Sequence, residues 1–204
     1  MNAFLYSLYW DNIDPALVAA QKAVFEHFGL SINQHRIQGF NHGEWMDWML
    51  ARMEDADVLG FIDIDCVPLS KDNLLASVQK AAAGALVGAE GCDNGRPPLR
   101  SYAGAWYVFV NREVWHALGR PSGKATPHTD VGQMWTDAWQ DRKLPVELIP
   151  PTSCAVPKWD LPGRPQAFGV ATTYGKDCFH LFESRFGNQR YFLDKCREIT
   201  GKPL

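Results

Sequence analysis

Through the first 90 residues, short apolar runs alternate with stretches of helical periodicity, and this rhythm leaves few architectures open. Residues 3–10, Ala-Phe-Leu-Tyr-Ser-Leu-Tyr-Trp, form an aromatic-rich run suited to a buried first strand. Asp14-Pro15 then supplies the usual N-cap and first helical residue: the Asp oxygen accepts a free amide, and Pro has no amide to leave unpaired. The helix that follows sets Leu17, Ala20, Val24 and Phe28 on one face and stops at Gly29. Residues 30–37 read as a second strand. A second helix starts near His42-Gly43 and carries Trp45, Trp48, Met49 and Met53 at helical spacing, with both Trp expected on its inner face. Residues 57–62 are apolar without alternation, as in a strand covered on both sides. A helix from Lys71 or Asp72 to Gly84 and a strand at 85–89 complete a β-α-β-α-β-α-β order. That order predicts an α/β, Rossmann-like architecture: a central, mostly parallel sheet flanked by helices.

The second half is less regular. Residues 91–101 are a polar loop with Gly and Pro, Ala103 to Val110 a strand, and Arg112 to Leu118 a short helix. After a loop at 119–129, a helix is expected from Asp130 to about Arg142, then a strand from Val146 to Ile149. Pro150 to Pro165 reads as irregular, and a final helix lies near 187–199. No repeat or linker divides the chain, so it is expected to be one domain.

Composition narrows the class. With 46% hydrophobic and 21% charged residues the chain is globular in type. A net charge of −3 gives no general attraction to nucleic acid or to anionic lipid. Five widely spaced Cys without a CxxC pair read as reduced thiols of a cytoplasmic protein. No apolar run is long enough to anchor the chain in a membrane.

The strongest chemical feature is Asp63-Ile64-Asp65, at the end of the apolar strand 57–62. Carboxyl ends of parallel strands open into the ligand crevice. Two carboxylates placed there repel each other unless a cation lies between them, and Mg²⁺ or Mn²⁺ takes such oxygen ligands and shares them with phosphates. By themselves these residues are either a metal-binding pair or a strand-end turn whose Asp side chains cap backbone amides.

In element order and in the placing of this triplet, the sequence resembles the GT-A class of glycosyltransferases, which implies a nucleotide-binding half over about residues 1–90 and a sugar and acceptor half over about 91–204. The resemblance implies a DxD motif holding Mn²⁺ or Mg²⁺ against the diphosphate of a nucleotide-sugar donor, with Asp63 and Asp65 as ligands. It implies a further ligand at His180, within Tyr174-Gly175-Lys176-Asp177-Cys178-Phe179-His180, and a nucleobase held after the first strand, which points to Tyr6, Ser7, Tyr9, Trp10 and Asp11. His42, at a helix N-terminus that favours anions, is a further donor-binding candidate. Gly104, within Ser101-Tyr102-Ala103-Gly104, is placed opposite the donor sugar; without the family it is a β-bulge glycine. Asp130 is either the catalytic base that takes a proton from the acceptor hydroxyl or the N-cap of its helix.

The implied function is metal-dependent transfer of a sugar to a hydroxyl on a small molecule, glycan, protein or hydroxymethylated DNA base. Nucleic acid enters only as such a modified-base acceptor, extruded into the pocket. The rival readings are a sugar-nucleotide nucleotidyltransferase and a non-catalytic nucleotide- or sugar-binding domain. Tyr9-Trp10-Asp11-Asn12 lacks the Gly-rich basic loop of the first rival. Arg96, Arg100, Arg112, Arg120 and Lys124 are either a phosphate-contacting group or a solvated surface.

Overall fold

A computed structural model describes residues 1–93 and 99–202 of the chain. Among these, six strands form one sheet in the order β2-β1-β3-β6-β5-β7: β1 (Ala3–Tyr9), β2 (Asn33–Arg36), β3 (Val58–Ile62), β5 (Leu86–Cys92), β6 (Ser101–Asn111) and β7 (Val146–Ile149). Five of the six run the same way, and only β6 is reversed, pairing antiparallel with both β3 and β5. Helices α1 (Pro15–His27), α2 (His42–Arg52), α3 (Lys71–Ala82), α4 (Arg112–Ala117), α5 (Gln133–Asp141) and α6 (Gln189–Thr200) accompany the strands. The expected α/β sheet is therefore present.

Local chemistry explains the helix starts. Asp14 accepts the Ala16 amide with Pro15 at the first helical position, and Asn41 and Glu44 close a reciprocal capping box on α2. Strand β3 is buried at every position, consistent with its unalternating sequence. Apolar cores lie on the sheet's faces. Leu5, Val58 and Phe109 pack with the α3 residues Leu74 and Val78, while Tyr6, Leu59 and Val108 pack with α2 and with Trp135 and Trp139 of α5.

Three expectations fail in informative ways. Residues 150–165 are not irregular: β8 (Pro151–Asp160) pairs antiparallel with β9 (Ala167–Tyr174) in a second, four-stranded sheet ordered β4-β10-β9-β8, where β4 is Cys66–Pro68 and β10 Cys178–His180. Helix α5 begins at Gln133 behind a left-handed Gly132, so Asp130 is not its N-cap. Trp48 faces outward against Phe40, with the Arg52 guanidinium 5.2 Å over its ring, whereas Trp45 is fully buried.

Candidate metal and nucleotide site

The site forms where β3 gives out. Asp63 follows the strand's last residue, and the chain turns at once, with the Cys66 amide donating to the Asp63 carbonyl at 2.9 Å. The buried Gln21 side chain of α1 clamps this turn by donating to the Asp63 and Cys66 carbonyls at 2.7 and 2.9 Å. Strand β4 then pairs with β10 so that Cys66 faces His180, and the Leu181 amide donates to the Asp65 carbonyl at 2.9 Å. This register carries His180 from the far end of the sequence to the two acids.

The three side chains converge. Ligand atoms of Asp63, Asp65 and His180 all lie within 4.8 Å of one another. His180 Nε2 stands 3.3 Å from Asp65 Oδ1 and 3.8 Å from Asp63 Oδ2, and His42 Nε2 approaches Asp63 Oδ1 at 3.3 Å from the start of α2. Burial, reinforced by the neighbouring Asp65 charge, pushes the Asp63 carboxyl up to about 7; His180 and Arg185 pull the other way. Burial lowers His42 to about 4 against the pull of Asp65, so its imidazole is neutral near pH 7. Two oxygen donors and one imidazole nitrogen, with a carboxyl that burial and a neighbouring acid keep from ionising, suit a hard divalent cation.

A cleft opens over these residues. Its wall includes Trp10, Ile13, Phe182, Glu183, Ser184 and Arg185. Glu183 adopts left-handed backbone, φ 61°, and leads into the short helical turn Ser184–Phe186 that brings Arg185 to the cleft. A second hollow adjoins it, sharing Trp10 and Ile13, and is lined by Tyr9, Asp11, Lys22, Gln34 and Arg36 among others. Arg36 Nε and Asp11 Oδ1 are paired at 2.5 Å on its rim, which lowers the Asp11 carboxyl.

The other expected site residues divide. Tyr9, Trp10 and Asp11 line the second hollow. Tyr6 and Ser7 do not: both are buried in β1, the Tyr6 hydroxyl meets the Met53 sulfur at 3.5 Å, and the Ser7 hydroxyl is held by Gln21 and the Ile62 carbonyl. Gly104 faces protein, since an added Cβ would lie 2.3 Å from the Trp106 ring. Asp130 accepts the Tyr102 hydroxyl at 2.9 Å and the Val131 amide at 2.8 Å, outside the residues lining the metal cleft.

Of the basic residues, Arg96 lies outside the described residues. The others are engaged by neighbouring groups: Arg100 pairs with Asp137 and Asp93, Arg112 donates to the Leu50 carbonyl, Arg120 donates to His116, and Lys124 pairs with Glu44. Sequence reasoning missed Gln21, Trp106 and Arg185. Only Arg185 carried a signal, as a cation five residues after the expected ligand His180. All five cysteines are free. Among the described residues no helix is long and apolar enough to cross a membrane.

No protein-family model matches the sequence, and no curated protein matches it. Among solved structures, the chain is similar to a mutant of Drosophila beta-1,4-galactosyltransferase 7 in complex with manganese, UDP-Gal and xylobiose. The two share 17% identity over the whole of this chain and 81% of the other, with a TM-score of 0.52. A glycosyltransferase involved in the glycosylation of the major capsid of PBCV-1 is similar at 10% identity, over 74% of this chain and 82% of that one, with a TM-score of 0.44. The likeness to the galactosyltransferase shows that this chain shares that protein's fold, the GT-A fold.

Proposed function

We propose that this chain is a glycosyltransferase that moves a sugar from a nucleoside-diphosphate donor to a hydroxyl acceptor, using Mn²⁺ or Mg²⁺ held by Asp63, Asp65 and His180. The observation that carries the reading is the convergence of those three ligand atoms within 4.8 Å at the carboxyl end of a mostly parallel sheet. A divalent ion there would neutralise charge developing on the departing diphosphate, a contribution of several kcal/mol.

The remaining roles belong to the chain itself. Arg185, at the cleft wall, presents a cation to phosphate oxygens. The hollow beside it is flanked by Tyr9 and Trp10 for stacking on a nucleobase and by Asp11 and Arg36 for its polar edge. In the complementary half, residues 91–204, Asp130 takes the acceptor proton, with the Tyr102 hydroxyl holding its Oδ2. The acceptor is a hydroxyl on a small molecule, glycan, protein or hydroxymethylated DNA base. Five unpaired thiols suit a cytoplasmic enzyme.

The test is release of nucleoside diphosphate from a panel of nucleotide-sugars in the presence of Mn²⁺, with chelated enzyme and Asp65→Ala as controls. Release that requires both the metal and Asp65 is expected. Undiminished release from chelated Asp65→Ala refutes the proposal, and pyrophosphate release from a nucleoside triphosphate and a sugar phosphate transfers it to a nucleotidyltransferase.

A further inference from the structure

We infer that Trp106 is a positioning residue for the metal site: its indole, stacked flat on His180, holds the imidazole toward Asp63 and Asp65. The inference rests on the metal-binding reading proposed above and deepens it. A ligating histidine ordinarily donates its second ring N–H to a carboxylate, a carbonyl or water, and that bond fixes the ring's orientation. His180 has no such support: Nδ1 is buried and, among the described residues, has no hydrogen-bond partner. Aromatic surfaces surround the ring instead. The Trp106 indole lies 5.5 Å away, centroid to centroid, at an interplanar angle of 6°, and the Phe182 ring meets the imidazole at 4.0 Å and 66°. Tilting the imidazole about its χ2 bond drives an edge into the flat indole, so the stack holds the ring in its plane and obstructs its turning. Within that plane Nε2 stands at 3.3 Å from Asp65 Oδ1 and 3.8 Å from Asp63 Oδ2.

The indole is held in turn. Phe168 stacks on it at 6.0 Å and 23°, and Phe182 and Tyr102 meet it edge-on at 4.9 and 6.4 Å. Two strand glycines make its space: an added Cβ at Gly91 or Gly104 would lie 2.4 or 2.3 Å from the outer edge of the indole. Neither has positive φ, so backbone conformation does not require glycine there. The room for the indole does. The Trp106 carbonyl also accepts the Asp63 amide at 3.0 Å, so this residue touches the settings of both His180 and Asp63.

The experiment is a Mn²⁺ titration of the full chain by electron paramagnetic resonance, a binding readout independent of turnover. Wild type is compared with Trp106→Phe, Trp106→Leu and Gly104→Ala, the fold of each checked by thermal unfolding. A flat ring in Trp106→Phe should keep Mn²⁺ affinity within about threefold, and Trp106→Leu should lose about tenfold or more, the scale for loss of a ligand's support. Gly104→Ala, which displaces the indole while leaving every metal ligand in place, should lose affinity as well. Wild-type affinity in a folded Trp106→Leu overturns the inference, as does an equal loss in the Phe and Leu variants. If Trp106→Leu does not fold, Gly104→Ala decides: unchanged affinity there is refutation. A wild-type chain that binds no Mn²⁺ overturns the metal reading and this inference together, whereas wild-type affinity in the variants removes only the stacking role.

Discussion

Asp65→Asn should make the metal-free protein more stable while removing its response to metal. Asp63 is pushed from 3.8 to about 7, first by burial and second by the Asp65 charge. A shift of about three units corresponds to about 4 kcal/mol that disfavours the charged native form. The sign follows from the direction. A carboxyl raised in the folded state costs stability once the unfolded chain ionises, from about pH 4 upward, and carries its full cost above about 7. Asp65 is the smaller of the two causes, so its neutral replacement should recover about 1–2 kcal/mol at pH 8. For a chain of this size that is a rise in Tm of about 2–8 °C. Asn retains an oxygen for His180 Nε2, now at 3.3 Å from Asp65 Oδ1, so the contact can survive. Calorimetry at pH 8 with chelator, then with excess Mn²⁺, reads both effects. Wild type should be stabilised by about 2.7 kcal/mol at a hundredfold excess over Kd, and the variant much less. A variant with unchanged or lower metal-free Tm that still responds fully to Mn²⁺ would refute the electrostatic account.

The same carboxyl sets a pH dependence. Below about 7 the ion must displace a proton from Asp63, so Mn²⁺ affinity should rise up to about tenfold per pH unit to that point and flatten above it; flat titrations at pH 5.5, 6.5 and 8 would contradict this. Asp130→Asn should lower sugar transfer by about 10²–10⁴ while Mn²⁺ and nucleotide binding persist, as separate binding and transfer assays would read; full transfer would remove its role as base. Gln21→Leu takes the side-chain donor from the Asp63 and Cys66 carbonyls, the former keeping the Cys66 amide, and the acceptor from the buried Ser7 hydroxyl; the loss of this network should cost about 1–3 kcal/mol, read by chemical denaturation.

Much of the first half could be read from the chain because local chemistry and packing agree there. Asp14-Pro15 announces α1, and the unalternating 57–62 run announces a doubly covered strand ending at the two acids, observed as Val58–Ile62. Trp48 misled because it shares helical spacing with Trp45, yet the buried stripe runs through Trp45, Met46, Met49 and Leu50. Strand β8 was hidden by its prolines. It is a mostly exposed edge strand, with Pro151 at its first residue and Pro157 at a register shift, positions where a missing amide is tolerated.

The site was only partly legible. Asp63 and Asp65 are marked by their strand, but His180 depends on the β4–β10 register, which no local pattern encodes; the family resemblance supplied it. In β1, Tyr6 and Ser7 belong to the buried part of the strand, and only Tyr9 at its end, followed by Trp10 and Asp11, reaches the hollow. Asp130 looked like a cap because it precedes a helix, but the Gln133 side chain accepts the Asp130 amide at 2.7 Å and a left-handed glycine begins the turn. Trp106 read as a strand residue because its partners, His180 and Phe182, come from the other sheet's end of the chain.

The central claim is a cation shared between this acid pair and a phosphate chain, and calorimetric titration with UDP and GDP, with and without Mn²⁺, tests it most directly. At least one diphosphate should bind in the presence of Mn²⁺ and lose its binding on chelation or in Asp65→Asn. Equal binding with and without the ion, or equal binding by wild type and Asp65→Asn, would contradict it.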